Sequence, residues 1–425
     1  MATSLLIKNG RIIDPASGKD AAGDILVADG KIVKIAKKIS QRAGKIIDAK
    51  GCWVVPGLID MHVHLRDPGC AEQETIASGT RAAARGGFTT ICCMANTDPV
   101  ADTASVIKYI VSKAKAEGVV NVLPVGAVTR GLKGEELAEM GLMREAGAIA
   151  FSDDGHPISN AGVFRKALEY ARQFDLPIIS HSEDLGLSEG GHMNEGALST
   201  QLGLKGIPAQ AEYGAVARDL QLAADFGRVH IAHVSTAQSV NLIRAAKKQK
   251  VKVTAETAPH YFSLTEEAVA GYNTNAKVNP PLRTAADVKA VVAGLKDGTL
   301  DVIATDHAPH TIDEKNIEFA AAANGMIGLE TAVPLCITQL IKGAKMTPLK
   351  VFAKLTINPA RALNLKKGTL HPGADADITI IDPAKPVIIS ENDFASASKN
   401  SPFIGQKLFG KVKATIVGGQ VVYSA

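Results

Sequence analysis

The sequence predicts a (β/α)8 TIM barrel that carries a small β-sandwich built from the two ends of the chain. Three observations predict it. Across residues 55–365, short apolar runs alternate with segments of helical period, strand then helix, eight times over. Residues 1–54 and 366–425 hold instead short β-branched runs around Asn-Gly, Asp-Gly and Gly-Gly pairs, and neither end is long enough to bury a core alone. Aromatic residues make up only 4% of the chain while Ala, Gly, Val and Ile are plentiful, a balance that suits parallel strands and close helix contacts.

Taken in order, strands at 5–8 and 11–14 flank Asn9-Gly10, and strands at 24–27 and 31–33 flank Asp29-Gly30; both pairs read as hairpins. The first barrel strand lies in the stretch 55–69, which opens and closes on turn signals. Seven more strands are predicted at 89–94, 121–128, 148–152, 177–180, 229–232, 252–255 and 301–304. Helical periods occupy 74–85, 104–116, 135–145, 163–173, 211–225 and 237–248. The segment 317–324 has no period and reads as a mobile lid. Strands at 377–382, 386–389, 414–417 and 420–422, the last two meeting at Gly418-Gly419, complete the sandwich.

Composition excludes some function classes. The net charge of +4 is spread along the chain with no basic tract interleaved with aromatics, which speaks against nucleic-acid binding. No charged leader opens the chain and no apolar run reaches membrane-spanning length. The five cysteines are odd in number and form no CxxC pair, so a reducing, cytoplasmic setting is expected, with Cys92 and Cys93 as buried thiols.

Barrel chemistry collects at the C-terminal ends of strands. His62 and His64 are two residues apart, so a strand presents both rings on one face. Strand four ends in Asp153 and Asp154, strand five in His181, strand six in His233 and strand eight in Asp306. A histidine or aspartate at one strand end is usually a cap or a hydrogen-bonded loop residue. Five strands ending this way point to a metal centre. Four imidazoles and two carboxylates suit zinc, and they exceed one open tetrahedral site, so two ions about 3.5–4 Å apart are expected.

Longer motifs run through these positions. They are Pro56-Gly57-Leu58-Ile59-Asp60-Met61-His62-Val63-His64-Leu65-Arg66-Asp67-Pro68-Gly69, Met94-Ala95-Asn96-Thr97, Lys277-Val278-Asn279-Pro280-Pro281-Leu282-Arg283, Thr305-Asp306-His307-Ala308-Pro309-His310 and Pro372-Gly373-Ala374-Asp375-Ala376-Asp377-Ile378. Over essentially its full length the chain resembles the amidohydrolase superfamily and, within it, the dihydroorotases. The resemblance implies that His62, His64 and Asp306 hold one zinc and His181 and His233 the other. A bridging lysine is absent from Phe151-Ser152-Asp153-Asp154-Gly155, so the branch with a bridging aspartate is implied. The family's spacing to His181 favours Asp154 over Asp153 as the bridge, which would leave Asp153 as a supporting or capping residue. The implied reaction is reversible ring opening of dihydroorotate to N-carbamoyl-L-aspartate in pyrimidine synthesis, with Asp306 carrying the proton. Arg66, Asn96 and His310 would meet the substrate's carboxylate, Asn279, Asn324 and Gly325 would read the ring amide, and the metal-bound His64 would also contact substrate. A homodimer and a complex with aspartate carbamoyltransferase are the implied partners.

Other histidines receive no role in the chemistry. On a regular strand His230 faces away from His233, and His307 points to the face opposite Asp306; His156, His192 and His371 have no companion at ligand spacing, and His260 shapes the pocket. Two rivals remain. An allantoinase or hydantoinase would carry the strand-four lysine and lack the His-x-His-Leu-Arg run, and a dead scaffold subunit would have lost metal ligands.

Overall fold

The computed structural model describes residues 4–425. Eight parallel strands, Leu58–Val63, Phe88–Cys93, Asn121–Pro124, Phe151–Ser152, Ile178–Ser180, Val229–Ile231, Val253–Thr257 and Val302–Ile303, follow one another around a TIM barrel. The ring is carried from strand three to four by a Gly126–Phe151 bridge and closed by a Val63–His307 bridge. At that closure the Asp60 side chain accepts from the N–H groups of Thr305 (3.0 Å) and His62 (3.1 Å), so a carboxylate does the work of missing ladder bonds. Met61, Cys92, Val125, Ile179 and Val302 fill the barrel interior, while Cys93, Ile91 and Phe88 face the helices. Both Cys92 and Cys93 are buried free thiols.

Predicted strand 121–128 stops at Pro124, because the N–H groups of Val128 and Thr129 turn to the Asp153 carboxylate. Helix Ile76–Gly86 shows why the helices form where their period predicts. Thr75 and Ser78 make a reciprocal capping box, Gly87 ends the helix at φ 92°, and Ile76, Thr80, Ala83 and Ala84 are buried. The predicted helix 135–145 is shorter, Met140–Ala146, since Arg130 N–H bonds Glu136 O and draws the preceding residues into a loop. The segment 317–324 is tied down. Buried Lys277 donates to the carbonyls of Ala320 and Ala322, and buried Lys315 to those of Ala323 and Gly325.

The two chain ends share one sheet in the order Gln420–Ser424, Lys407–Val417, Ile378–Ile388, Trp53–Pro56, Ser4–Asp14, Lys19–Ala28, Lys31–Ala36, with Lys45–Asp48 beside Ser4–Asp14. It folds over a core of Ile7, Ile12, Ile25, Val54, Ile380 and Ile416, which makes the sandwich. Asp29-Gly30 and Gly418-Gly419 are hairpin turns. Asn9-Gly10 is not. Ser4–Asp14 runs straight through it, with a bulge between Ile7 and Gly10, and pairs with Lys19–Ala28 along both halves. Asn9 sits at φ 60° and its N–H goes to Asp24, while a Cβ on Gly10 would lie 2.5 Å from Val54. The glycine lets another strand pass. Likewise 377–382 and 386–389 form one irregular strand, Ile378–Ile388.

Residues 394–401 leave the sandwich and lie against the barrel, held by two buried carboxylates. Glu74 accepts from Ser396 Oγ (2.5 Å) and Ala397 N–H (3.2 Å), and Glu330 from the N–H groups of Ala395 (2.9 Å) and Ser396 (3.3 Å). Burial pushes the Glu330 carboxyl up to about 7 against those hydrogen bonds and the Arg85 guanidinium 3.3 Å away. Between its ordinary 4.5 and about 7 the native state therefore holds a proton that the unfolded chain has released, and stability falls as pH rises through that window. Glu330→Gln, neutral throughout, is expected to gain thermal midpoint on wild type from pH 4.5 to 7. A constant difference across the window would remove Glu330 as the titrating group.

Candidate active site

At the C-terminal mouth of the barrel the five predicted strand ends converge. His62 Nε2 and His64 Nε2 lie 3.3 and 3.4 Å from Asp154 Oδ2, whereas His181 Nδ1 and His233 Nε2 lie 3.5 and 3.4 Å from Asp154 Oδ1. One carboxylate thus faces two pairs of imidazoles, one pair per oxygen. Asp306 Oδ1 approaches His64 Nε2 at 3.3 Å and His62 Nε2 at 3.5 Å. Two triads can each surround an ion, His62–His64–Asp306 and His62–Asp154–His233. His181 stands beside the second triad, 2.9 Å from His233. Among the described residues His62 Nε2 and Asp154 Oδ1 are buried with no hydrogen-bond partner, and the donor set of nitrogen and oxygen fits a divalent metal. Three residues here, Arg66 (φ 57°), His233 (φ 34°) and Asp306 (φ 50°), adopt the left-handed region that non-glycine residues rarely occupy, as strained functional sites often do.

Charge follows the same geometry. Burial would raise the Asp154 and Asp306 carboxyls, but the surrounding imidazoles, His62 foremost, hold both well below the carboxylate range. Asp153 points elsewhere. It accepts from the N–H groups of Val128 (2.7 Å) and Thr129 (3.0 Å) and from the Thr129 hydroxyl, and burial pushes its carboxyl up to about 6.

A cavity of about 220 Å³ opens above the cluster. His64, Arg66, Asn96, Asn279, His310, Asn324 and Gly325, the predicted substrate contacts, all line it. Asn96 Oδ1 accepts from His64 Nδ1 (2.9 Å), so Asn96 also orients an imidazole. Asn279 donates to Glu183 (2.9 Å). Arg66 could have been spent on Asp67, but Asp67 pairs with Lys113 (2.9 Å) and takes the Ile76 N–H. Among the described residues no carboxylate lies within ion-pair distance of Arg66. Its guanidinium reaches only the Pro309 carbonyl (3.4 Å) and His310 Nε2 (3.3 Å), and burial lowers its pKa. A half-buried cation without a partner asks for an anion from outside.

Comparison with known proteins places the chain in a family. Residues 51–239 match the Dihydro-orotase-like family and residues 209–423 the Amidohydrolase family. The chain is 59% identical to a dihydroorotase of Pelotomaculum thermopropionicum over 419 residues, and 56% identical to a dihydroorotase of Acetivibrio thermocellus over 420 residues, each covering 98% of both chains. The chain belongs to the dihydroorotase family. Among solved structures it is similar to an L-hydantoinase (dihydropyrimidinase) of Arthrobacter aurescens, with 27% identity, a TM-score of 0.89, and cover of 99% of this chain and 96% of that one. A dihydropyrimidinase of Brevibacillus agri, 22% identical with a TM-score of 0.87 over 99% of this chain and 95% of that one, shares the fold.

Within this dihydroorotase-family site the structure reveals two carboxylates that the sequence reading missed. Glu256 accepts from His62 Nδ1 at 2.7 Å, which turns the His62 Nε2 lone pair toward the cluster. Glu183 does the same for His181, at 3.0 Å from Nε2. Both had a faint signal: a lone glutamate inside the apolar strand Val253–Thr257, and a glutamate two residues after His181. Burial would raise both carboxyls; their histidine partners hold them at about 2. His230, read from sequence as facing away, lies 3.1 Å from Glu256 Oε2 inside the barrel. The strand ends at Ile231 and His233 turns to positive φ, so simple alternation does not relate the two histidines. His307 bonds buried Glu74 (3.3 Å), and His260 is buried beside the site, its pKa lowered to about 4 by burial.

Proposed function

We propose that this site catalyses the reversible opening of the cyclic amide of (S)-dihydroorotate to N-carbamoyl-L-aspartate, the dihydroorotase step of pyrimidine (UMP) synthesis. Two zinc ions would be held by His62, His64, Asp154, His181, His233 and Asp306. The observation that carries this reading is the unpaired Arg66 on the same cavity as the imidazole–carboxylate cluster. A cyclic amide bearing a carboxylate satisfies both. Two such ions, when bound, supply an acidified water and a polarised ring carbonyl. Asp306 takes the proton of the attacking water and gives it to the ring nitrogen as the C–N bond breaks, a role worth roughly 10²–10⁴ in rate. Arg66 receives the carboxylate as a bidentate pair, with Asn96 and His310 beside it. Asn279, Asn324 and Gly325 face the ring amide. Glu256 and Glu183 keep their histidines in the ligating tautomer.

A cytoplasmic setting is supported by five unpaired cysteines. No helix among the described residues is long and apolar enough to cross a membrane. A homodimer and assembly with aspartate carbamoyltransferase rest on the family resemblance alone. The test is ring opening of dihydroorotate, dihydrouracil, hydantoin and allantoin side by side, with Arg66→Ala beside wild type. Wild type should turn over dihydroorotate, and R66A should lose chiefly KM, by about 10–100-fold for a charge-assisted pair. Turnover of hydantoin or allantoin but not dihydroorotate would sink the assignment.

A further inference from the structure

The wall of the cavity that carries His310 and Gly325 is stitched together by a side chain from the other end of the chain. Asn400 is buried, and its amide makes three hydrogen bonds. Oδ1 accepts from the His310 N–H (3.1 Å), and Nδ2 donates to Ala308 O (3.0 Å) and Gly325 O (3.1 Å). The Asn400 carbonyl accepts from Ile327 N–H at 3.0 Å, which fixes the asparagine from a further side. Lys315 reaches the same Gly325 oxygen at 2.9 Å from inside the protein. Gly325 has φ 137°, and a Cβ there would lie 2.7 Å from Ala308 Cβ, 3.1 Å from Ala308 O and 3.2 Å from His310 Cδ2, so only glycine lets the two segments lie this close. His310 Nε2 in turn donates to Asn324 O (2.9 Å), and the Arg66 guanidinium lies 3.3 Å from that same nitrogen.

The Gly325 carbonyl takes two side-chain donors and the His310 N–H a buried amide, so two side chains from outside this wall fix both of its segments. We propose that Asn400 and Lys315 are positioning residues that hold Gly325 and His310 in the substrate-binding wall beside Arg66. Substrate capture would then depend on a side chain supplied by the C-terminal segment 394–401. Asn400 touches no reacting atom and acts through the residues it holds. The inference rests on the reading of this wall as the place where the substrate's carboxylate and ring edge are received.

The test uses the full chain loaded with zinc and compares wild type, Asn400→Ala and Lys315→Met, which removes only the ammonium donor. For each, kcat and KM for dihydroorotate, bound zinc and thermal midpoint are measured. KM is expected to rise about tenfold in N400A, the cost of about one lost hydrogen bond. K315M should move it the same way, with kcat falling less than KM rises and zinc retained. KM within twofold of wild type in both variants overturns the proposal. So does a loss of kcat and zinc with KM unmoved, the mark of general destabilisation. Should N400A not fold, K315M decides alone, since it removes the other donor to Gly325 O together with the bond to Ala323 O in the same wall. Absence of dihydroorotate turnover in wild type would instead strike the function proposed above.

Discussion

Asp306→Asn is expected to bind zinc and melt near wild type, yet to lose turnover by roughly 10²–10⁴-fold in both directions. Asparagine has the shape of aspartate, and Asp306 is held by backbone as much as by its carboxylate: it sits at φ 50° after strand Val302–Ile303, next to the bridge from His307 to Val63. Asn tolerates left-handed φ about as well as Asp. The loss is chemical. Asp306 Oδ1 stands 3.3 and 3.5 Å from two imidazoles at the floor of the cavity, so this carboxylate is placed where a proton leaving water can be taken and handed on. An amide can do neither. Matched kcat values for hydrolysis and ring closure, with zinc measured on the same samples, check this. Near-normal turnover at full zinc would remove Asp306 as proton carrier; loss of zinc would make it chiefly a ligand.

Asp154→Asn and Asp153→Asn are expected to fail in opposite ways. Asp154 faces His62 and His64 with one oxygen and His181 and His233 with the other, so D154N should lose bound zinc and activity together. D153N should keep its zinc and melt lower. The amide keeps the oxygen that receives the Val128 and Thr129 N–H groups but presents a donor where the Thr129 hydroxyl now finds the second carboxylate oxygen, at a cost of about 1–3 kcal/mol for the buried bond left unmet. Zinc content by elemental analysis and thermal midpoints would decide. The reverse pattern, zinc lost in D153N and kept in D154N, would transfer the bridging role to Asp153.

These adjacent aspartates show how far local sequence reaches. That strand four ends in two carboxylates is legible at once; which one turns inward is set by the N–H groups of residues 128 and 129, donated from the loop after the neighbouring strand. Arg66 is similar. Its place two residues after His64, amid the surrounding motifs, marks it as a substrate contact; only for Arg66 taken alone is a surface pair with Asp67 as good a reading. Lys113, on the helix Ala104–Glu117, removes that choice by taking Asp67 for itself. Asn9-Gly10 carried the strongest hairpin signature and yet lies within a strand, because the pairing partner Lys19–Ala28 is long enough to run past it.

By itself the sequence determined the (β/α)8 barrel, the pairing of its two ends, and the strand-end histidines and aspartates. Each of these is encoded within a few residues: helical period, two-residue alternation, turn-forming pairs. The tertiary structure alone decided which carboxylate serves which histidine, that Arg66 is unpaired, and that Asn400 holds His310 and Gly325. The physical reason is that a buried charge or amide takes its role from whatever donor or acceptor comes within hydrogen-bond reach. For Glu256 and His62, and for Asn400 and Ala308, that partner lies far along the chain.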